Sequence, residues 1–311
     1  SIKEEDEMTE KMTVAPIALF VYNRLLHTQQ TVKALQKNEL ADCSHLLIFA
    51  DGAKSHASIC AVDDVREYIK TIDGFKSVNI VERDENFGLA NSIIHGVTKL
   101  CNEYSRVIVV EDDLVTSPFF LRYMNEALDI YANESSVASI HGYWYAVGSE
   151  MPETFFLRGA SCWGWATWSH AWKIFQEDGQ KLLDELKNKK LTRSFDLDGA
   201  MAYTQMLEDQ IKGKNNSWAI RWHASTFLAN KLQLSPGKSL VRNIGFDGSG
   251  THSGKSEAFS VSLSTKPINV KYVVPNQSNL ARDALVKYHI KTRNIFYRIK
   301  NRLHSLIDNT K

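Results

Sequence analysis

The chain has 311 residues, 43% of them hydrophobic and 23% charged, and its 37 Lys+Arg nearly balance its 36 Asp+Glu. That length suits one large α/β domain or two small ones, because a single core stops growing near ~250–300 residues. The charge balance argues against a dedicated nucleic-acid binder, and the longest uncharged run, Ser135 to Ser149, is too short and too polar to cross a membrane.

The chain opens on an acidic, polar stretch, Ser1 to Lys11, with no visible secretion signal; residues 1–12 are expected to be a disordered lead-in. Pro16 to Tyr22 is a short apolar run, as a buried parallel strand should be, and Thr28 to Asn38 has helical composition. A second strand is predicted at His45 to Ala50, a helix at Asp63 to Ile72, a third strand at Ser77 to Glu82 and a helix at Leu89 to Tyr104. Arg106 to Val110 is the fourth strand, stopped by Glu111-Asp112-Asp113. Ser117 as N-cap and Pro118 at the first position predict a helix to about Ala132, and Val137 to His141 a fifth strand. Strand and helix alternating at these spacings imply a doubly wound, mostly parallel sheet.

After Gly142 the rhythm breaks. Trp163, Trp165, Trp168 and Trp172 cluster, and helices are predicted at Trp165 to Glu177 and Gly179 to Lys187. A third block, Met201 to His252, ends in a glycine-rich loop, Gly245 to Gly254. The predicted organisation is a ligand-binding half at 13–142, a second half of the same domain at 143–275, and a basic helix at 276–311. The four cysteines, Cys43, Cys60, Cys101 and Cys162, form no CxxC pair and read as reduced thiols of a cytoplasmic protein.

Open parallel sheets bind ligands beyond the carboxyl ends of their strands. Polar residues fall there four times: Asn23-Arg24, Asp51-Gly52, Arg83 to Asn86, and Glu111-Asp112-Asp113. Three adjacent carboxylates repel one another unless a cation is near. Oxygen ligands at a strand end suit Mg²⁺ or Mn²⁺ held by one or two carboxylates plus substrate phosphates; the alternative is a solvated turn. The sequence has no GxGxxG after its first strand, and no GxxxxGK[ST], HExxH or GxSxG. A nucleotide diphosphate bound through a strand-end metal remains.

Five stretches then carry a resemblance: PIALFVYNR, LLIFADG, VIVVEDDLVTSPFF, FFLRGASCWGWATW and SLVRNIGFDGSGTH. In this order they resemble the metal-dependent GT-A glycosyltransferases. The nearest likeness is to the N-acetylglucosaminyltransferase I group and bacterial family-2-like sugar transferases. The resemblance implies a GT-A (Rossmann-like) α/β fold, with an added acceptor-side layer and a C-terminal helix, that moves a sugar from a nucleotide-sugar, most often a UDP-sugar, to a glycan or lipid-linked hydroxyl with inversion. It implies nucleotide-sugar contacts at Arg24, Asp51, Asn86, Gly88, Asn91, Glu111 and Asp112. Asp113 matches the metal-touching acid of a DxD-type motif, and His252, with Gly248 and Gly250, a closing loop whose histidine completes the Mn²⁺ or Mg²⁺ shell.

The family's base is an acid just before a Trp that precedes an Arg. The matching segment here, Asn216 to Trp222, holds no acid, so Asp209 of the Glu208-Asp209 pair is the expected base and Asp247 the reserve. Trp163 and Trp165 are either acceptor platforms or core; Trp168 and Trp172, four apart, read as core. The tail stripe from Leu285 to Leu306 either packs on the domain or a second copy, or lies on the inner face of a membrane. The rival functions are a sugar nucleotidyltransferase and a catalytically inactive glycan-binding protein on the same fold.

Overall fold

The computed structural model describes residues 14–247 and 259–308, with side chains as far as residue 293. In chain order come β1 (Ile17–Val21), α1 (Leu25–Gln36), β2 (His45–Ala50), α2 (Ile59–Ile69), β3 (Ser77–Glu82), α3 (Leu89–Tyr104), β4 (Arg106–Glu111), β5 (Leu114–Thr116), α4 (Phe120–Ile130) and β6 (Val137–His141). The second half adds β7 (Thr154–Arg158), β8 (Trp165–Trp168), α5 (Ser169–Trp172), α6 (Gly179–Asn188), α7 (Thr192–Phe195), α8 (Tyr203–Ile211), α9 (Trp218–Leu228), β9 (Leu232–Pro236), β10 (Val241–Asn243) and α10 (Asn279–Asp308).

Eight strands form one sheet in the order β3-β2-β1-β4-β8-β6-β9-β7, and β5 pairs with β10 in a separate antiparallel ribbon. The β1–β2, β2–β3, β1–β4 and β6–β9 pairs are parallel, whereas β8 runs antiparallel to both β4 and β6, and β7 antiparallel to β9. This is a mostly parallel α/β sheet flanked by helices. Every residue of β1 is buried, which is why IALFV shows no polar alternation. The sheet takes strands from both sides of Gly142.

Three elements differ from the sequence reading. Trp165 to Trp168 form a strand instead of the start of a helix, followed by the single turn α5. Inserted between β4 and β6, this segment satisfies its backbone groups on both edges, and its large side chains suit a pleated buried surface. Helix α4 begins at Phe120 with Phe119 at its N-cap, while Ser117, two residues earlier, accepts from the Phe119 amide (3.4 Å) and donates its hydroxyl to the Ser264 carbonyl (2.7 Å). The β5–β10 ribbon was not anticipated, since three-residue strands show no period.

The Trp cluster is a packing device. Trp165 and Trp222 are fully buried, and Trp165 stacks on Trp218 with ring centroids 5.3 Å apart. In α9, Ser217 caps the helix by accepting from the Ile220 amide (3.2 Å), and Trp218 and Trp222, one turn apart, both face the core. Arg221 donates to the carbonyls of Ser217 (3.1 Å) and Glu177 (3.2 Å). Helix α10 starts on the same body: Ala281 and Leu285 are buried with Trp144, Phe155 and Leu157, and Arg282 pairs with Asp198 (2.6 Å). No described helix is long and apolar enough to cross a membrane.

His141 ends β6 in the interior, and burial pushes its imidazole down to about 3. The unfolded chain therefore takes up a proton at this residue that the native state refuses, and stability is lost as pH falls from 6.5 toward 3. His141→Phe is expected to gain on the wild type by ~1.4 kcal/mol per pH unit below 6.5. Urea denaturation of both proteins at pH 7.5, 6 and 5 checks this; a constant difference would refute it.

Candidate active site

The carboxyl ends of β1, β2 and β4 meet in one place. Helix α1 follows β1 directly and presents Arg24 to the acids that end β4. The Arg24 guanidinium donates to Asp112 and to Asp113 Oδ2 (2.9 Å for Asp113). Burial opposes its charge, yet the two carboxylates hold Arg24 above its ordinary range. The Thr31 hydroxyl donates to the Asp112 carbonyl (2.8 Å), tying α1 to the same turn.

Two negative charges thus share one arginine, and a third carboxylate stands beside them. The Glu111 carboxylate makes no hydrogen bond or ion pair with any described residue, although its backbone pairs with β1 at Phe20. Burial, then Asp113 and Asp112, push its carboxyl well above the usual carboxylate range against the pull of Arg24. Asp112 is pushed up to about 6 by burial, with Arg24 opposing and Asp113 adding. This acidic tip carries more negative charge than its protein partners neutralise.

The tip is covered by the chain that β10 delivers. Val241, Arg242 and Asn243 pair with Thr116, Val115 and Leu114, and the Ile244 amide donates to the Asp113 carbonyl (2.8 Å). Gly245 then passes so close that a Cβ there would collide with Asp113 Oδ2. Asp247 pairs with His27 Nε2 (3.1 Å), and the charge of His27 in turn favours ionisation of Asp112. The reserve acid of the sequence reading therefore lies beside the tip.

The second strand end is organised around Asp51. One oxygen accepts from the amides of Gly52 (3.0 Å) and Phe87 (2.8 Å), the other from the Gly88 amide (2.9 Å) and Asn86 Nδ2 (3.1 Å). Asn91 Nδ2 donates to the Phe87 carbonyl (3.0 Å). Gly52 is required here, because a Cβ would stand 2.5 Å from the Glu85 carbonyl carbon. Asp51, Asn86 and Asn91 thus build the loop before α3. Asp51→Ala is expected to cost about 3 kcal/mol, since it strips a charged acceptor from several N–H donors. Urea denaturation measures it, and a cost below about 1 kcal/mol would show the loop holds without that carboxylate.

Other expected site residues lie elsewhere. Trp165 is 0% exposed and closed in by Trp172, Trp218 and Trp222, so it has no face to offer a sugar; its acceptor role is corrected to core packing. Trp163 is half-buried, edge-on to Tyr143, Phe246 and Phe259 beside the covering chain. Asp209 sits on α8, accepting from Gln205 (3.1 Å) and paired with Lys214 (3.3 Å), and it makes no hydrogen bond or ion pair with the acidic tip. Glu208 pairs with Lys187 (3.3 Å). Asn216 accepts from Arg221 (3.4 Å). His252, Gly248 and Gly250 lie outside the described residues. Sequence reasoning missed His27, whose only signal was its place one turn into α1 from Arg24.

Among the described residues all donors at the tip are hard carboxylate oxygens and the Glu111 carboxylate has no partner, which fits Mg²⁺ or Mn²⁺ in charge and type. Among the described residues no three acid, His or Cys side chains converge on one point. An ion there would be held by Asp113 and Glu111 together with ligand oxygens.

The topology and the loaded strand ends define an α/β protein with a mostly parallel sheet and an acidic site where its central strands end. No family model and no curated protein matches the chain. Among solved structures, it is similar to the mannosyltransferase PcManGT from Pyrobaculum calidifontis in complex with GDP-Man and Mn2+, at 14% identity and TM-score 0.31 over 46% of this chain and 41% of that one. It is similar to S. aureus TarS at 12% identity and TM-score 0.36, over 53% of this chain and 30% of that one. A third is glucosyl-3-phosphoglycerate synthase from Mycobacterium tuberculosis, at 11% identity and TM-score 0.34, over 61% and 71% of the two chains. The chain spans less than half the length of the first two, and likeness this distant carries no argument about activity.

Proposed function

We propose that this protein is a metal-dependent glycosyltransferase that moves a sugar from a nucleotide-sugar, a UDP-sugar in the first instance, to a glycan or lipid-linked hydroxyl with inversion. The observation that carries this is the acidic tip: three carboxylates at the end of a central parallel strand, one arginine between two of them, and the Glu111 carboxylate without a partner among the described residues. In this reading Asp113 and Glu111 hold Mn²⁺ or Mg²⁺ with the donor's diphosphate. The ion, when bound, supplies Lewis-acid neutralisation of the leaving diphosphate.

The chain's own residues do the rest. Arg24 fixes Asp112 and Asp113 against rotation, so the carboxylates need no reorganisation when a donor binds. The loop organised by Asp51 lies at the neighbouring strand end, where a nucleotide would extend along the sheet. The stretch from Asn243 to Asp247 covers the tip and keeps water from the donor.

A carboxylate must take the acceptor's proton. Asp209 is occupied by Lys214 and Gln205, whereas Asp247 stands beside the tip on His27. Asp247→Asn is therefore expected to lower turnover by ~10²-fold or more, and Asp209→Asn to leave it unchanged. The reverse pattern would return the role to Asp209.

The inactive glycan-binding reading also has an observation in its favour, because Asn216 occupies the family's acid position and is spent on Arg221. Calorimetry with UDP, with and without Mn²⁺, separates the two. Metal-dependent UDP binding together with released nucleotide in a screen of UDP-, GDP- and dTDP-sugars supports the enzyme. Sugar binding with neither result supports the module.

A further inference from the structure

A cavity of about 90 Å³ lies in the second half of the domain, bounded by β6, β7, β9 and helices α7 to α10. Val109, Trp165 and His141 stand abreast across β4, β8 and β6, so Glu111, two residues beyond Val109, shares their face of the sheet. His141 opens onto this cavity, on the acidic tip's side of the sheet.

The wall mixes aromatic rings with polar groups the protein leaves unused. Nε2 of His141 and Nε1 of Trp144 are buried with no hydrogen-bond partner among the described residues, in residues only 3% and 4% exposed. Unpaired polar atoms at such depth are destabilising, and two on one cavity call for a partner that the chain does not supply. Tyr145 and Tyr203 line it too, and neither hydroxyl makes a hydrogen bond with a described residue. Gln233 is fixed in orientation, its amide oxygen accepting from the Ser161 amide (2.6 Å) and its nitrogen donating to Ser161 Oγ (3.3 Å).

Charge narrows the ligand. Among the described residues no Asp or Glu lines the cavity, which disfavours a cation. Arg158 and Arg282 reach it, but Arg158 donates to the Phe227 carbonyl (2.9 Å) and lies over the Phe227 ring, and Arg282 is paired with Asp198 (2.6 Å). Both guanidinium groups are thus engaged, although Arg158 keeps its charge, and the rest of the described wall offers rings for C–H faces and planar polar groups for hydroxyls. Its volume is that of about three water molecules at ~30 Å³ each, which suits one hydroxylated edge of a ring. Ala281 and Leu285 pack α10 onto the domain, and Leu285 reaches the cavity wall.

We infer that this cavity binds the uncharged, hydroxylated edge of a sugar ring, hydrogen-bonded by His141, Trp144 and Tyr203 and roofed by α10. The inference stands on the cavity alone and does not require nucleotide binding at the acidic tip. Saturation-transfer NMR on the full chain with glucose, mannose and N-acetylglucosamine tests it. At least one sugar should receive magnetisation; Tyr203→Phe, which removes one hydroxyl and leaves the fold intact, should weaken that sugar about tenfold, and His141→Phe, which fills the space, should abolish it. Asp113→Ala should leave it unchanged. No transfer to any of the three sugars would mean a cavity holding water only. Binding indifferent to Tyr203→Phe, or lost in Asp113→Ala, would place the sugar elsewhere. Each of these results overturns the inference.

Discussion

Asp113→Ala is expected to lower donor turnover by ~10²-fold to ~10³-fold and to abolish any strengthening of UDP binding by Mn²⁺, with the fold intact. The fold survives because Arg24 keeps its contact with Asp112, so no buried charge is stranded. The activity does not, because Asp113 supplies the carboxylate that lies at the mouth of the tip under Gly245. Calorimetry for UDP and nucleotide release for the donor are the measurements. Metal-dependent binding that persists undiminished in Asp113→Ala would remove this residue from the metal site.

Trp222→Ala is expected to be the most destabilising single change in the chain's second half, by about 3–5 kcal/mol. The side chain is fully buried, with ring centroids 5.0 Å from Trp172 and 6.0 Å from Trp165. These rings join α9 to β8 and α5, so a cavity there loosens the strand that separates β4 from β6. Trp163→Ala removes a half-buried ring at the edge of the same region and should cost clearly less. Urea midpoints for the two variants give the comparison, and equal losses would show that the cluster is not the keystone of this half.

The two halves of the chain differed in how much of this was readable. From Pro16 to Tyr104 the predicted strands and helices match the observed ones within a few residues, because each is a local apolar run or a helical stripe bounded by turn residues. The tryptophan segment failed. Its residues carry both core-helix spacing and strand propensity, and only the unpaired edges of β4 and β6 chose the strand. Asp209 was less legible: an acidic pair on a helix looks the same in sequence whether it faces a cleft or a lysine, and here Lys214 pairs with it.

The sequence by itself determined the sheet's parallel core, the places where its strands end, and the acidic and amide residues at those ends, since strand-end chemistry follows directly from where apolar runs stop. The tertiary structure alone decided which of these groups are already spent. Asp51 is consumed by the amides of residues 52, 87 and 88, and Asp112 and Asp113 share Arg24, while among the described residues Nε2 of His141 is left without a hydrogen-bond partner. Partner choice depends on contacts between residues dozens of positions apart. The Thr116–Val241 ribbon that brings Asp247 to the tip, and the α10 roof over the cavity, exist only once the chain has closed on itself.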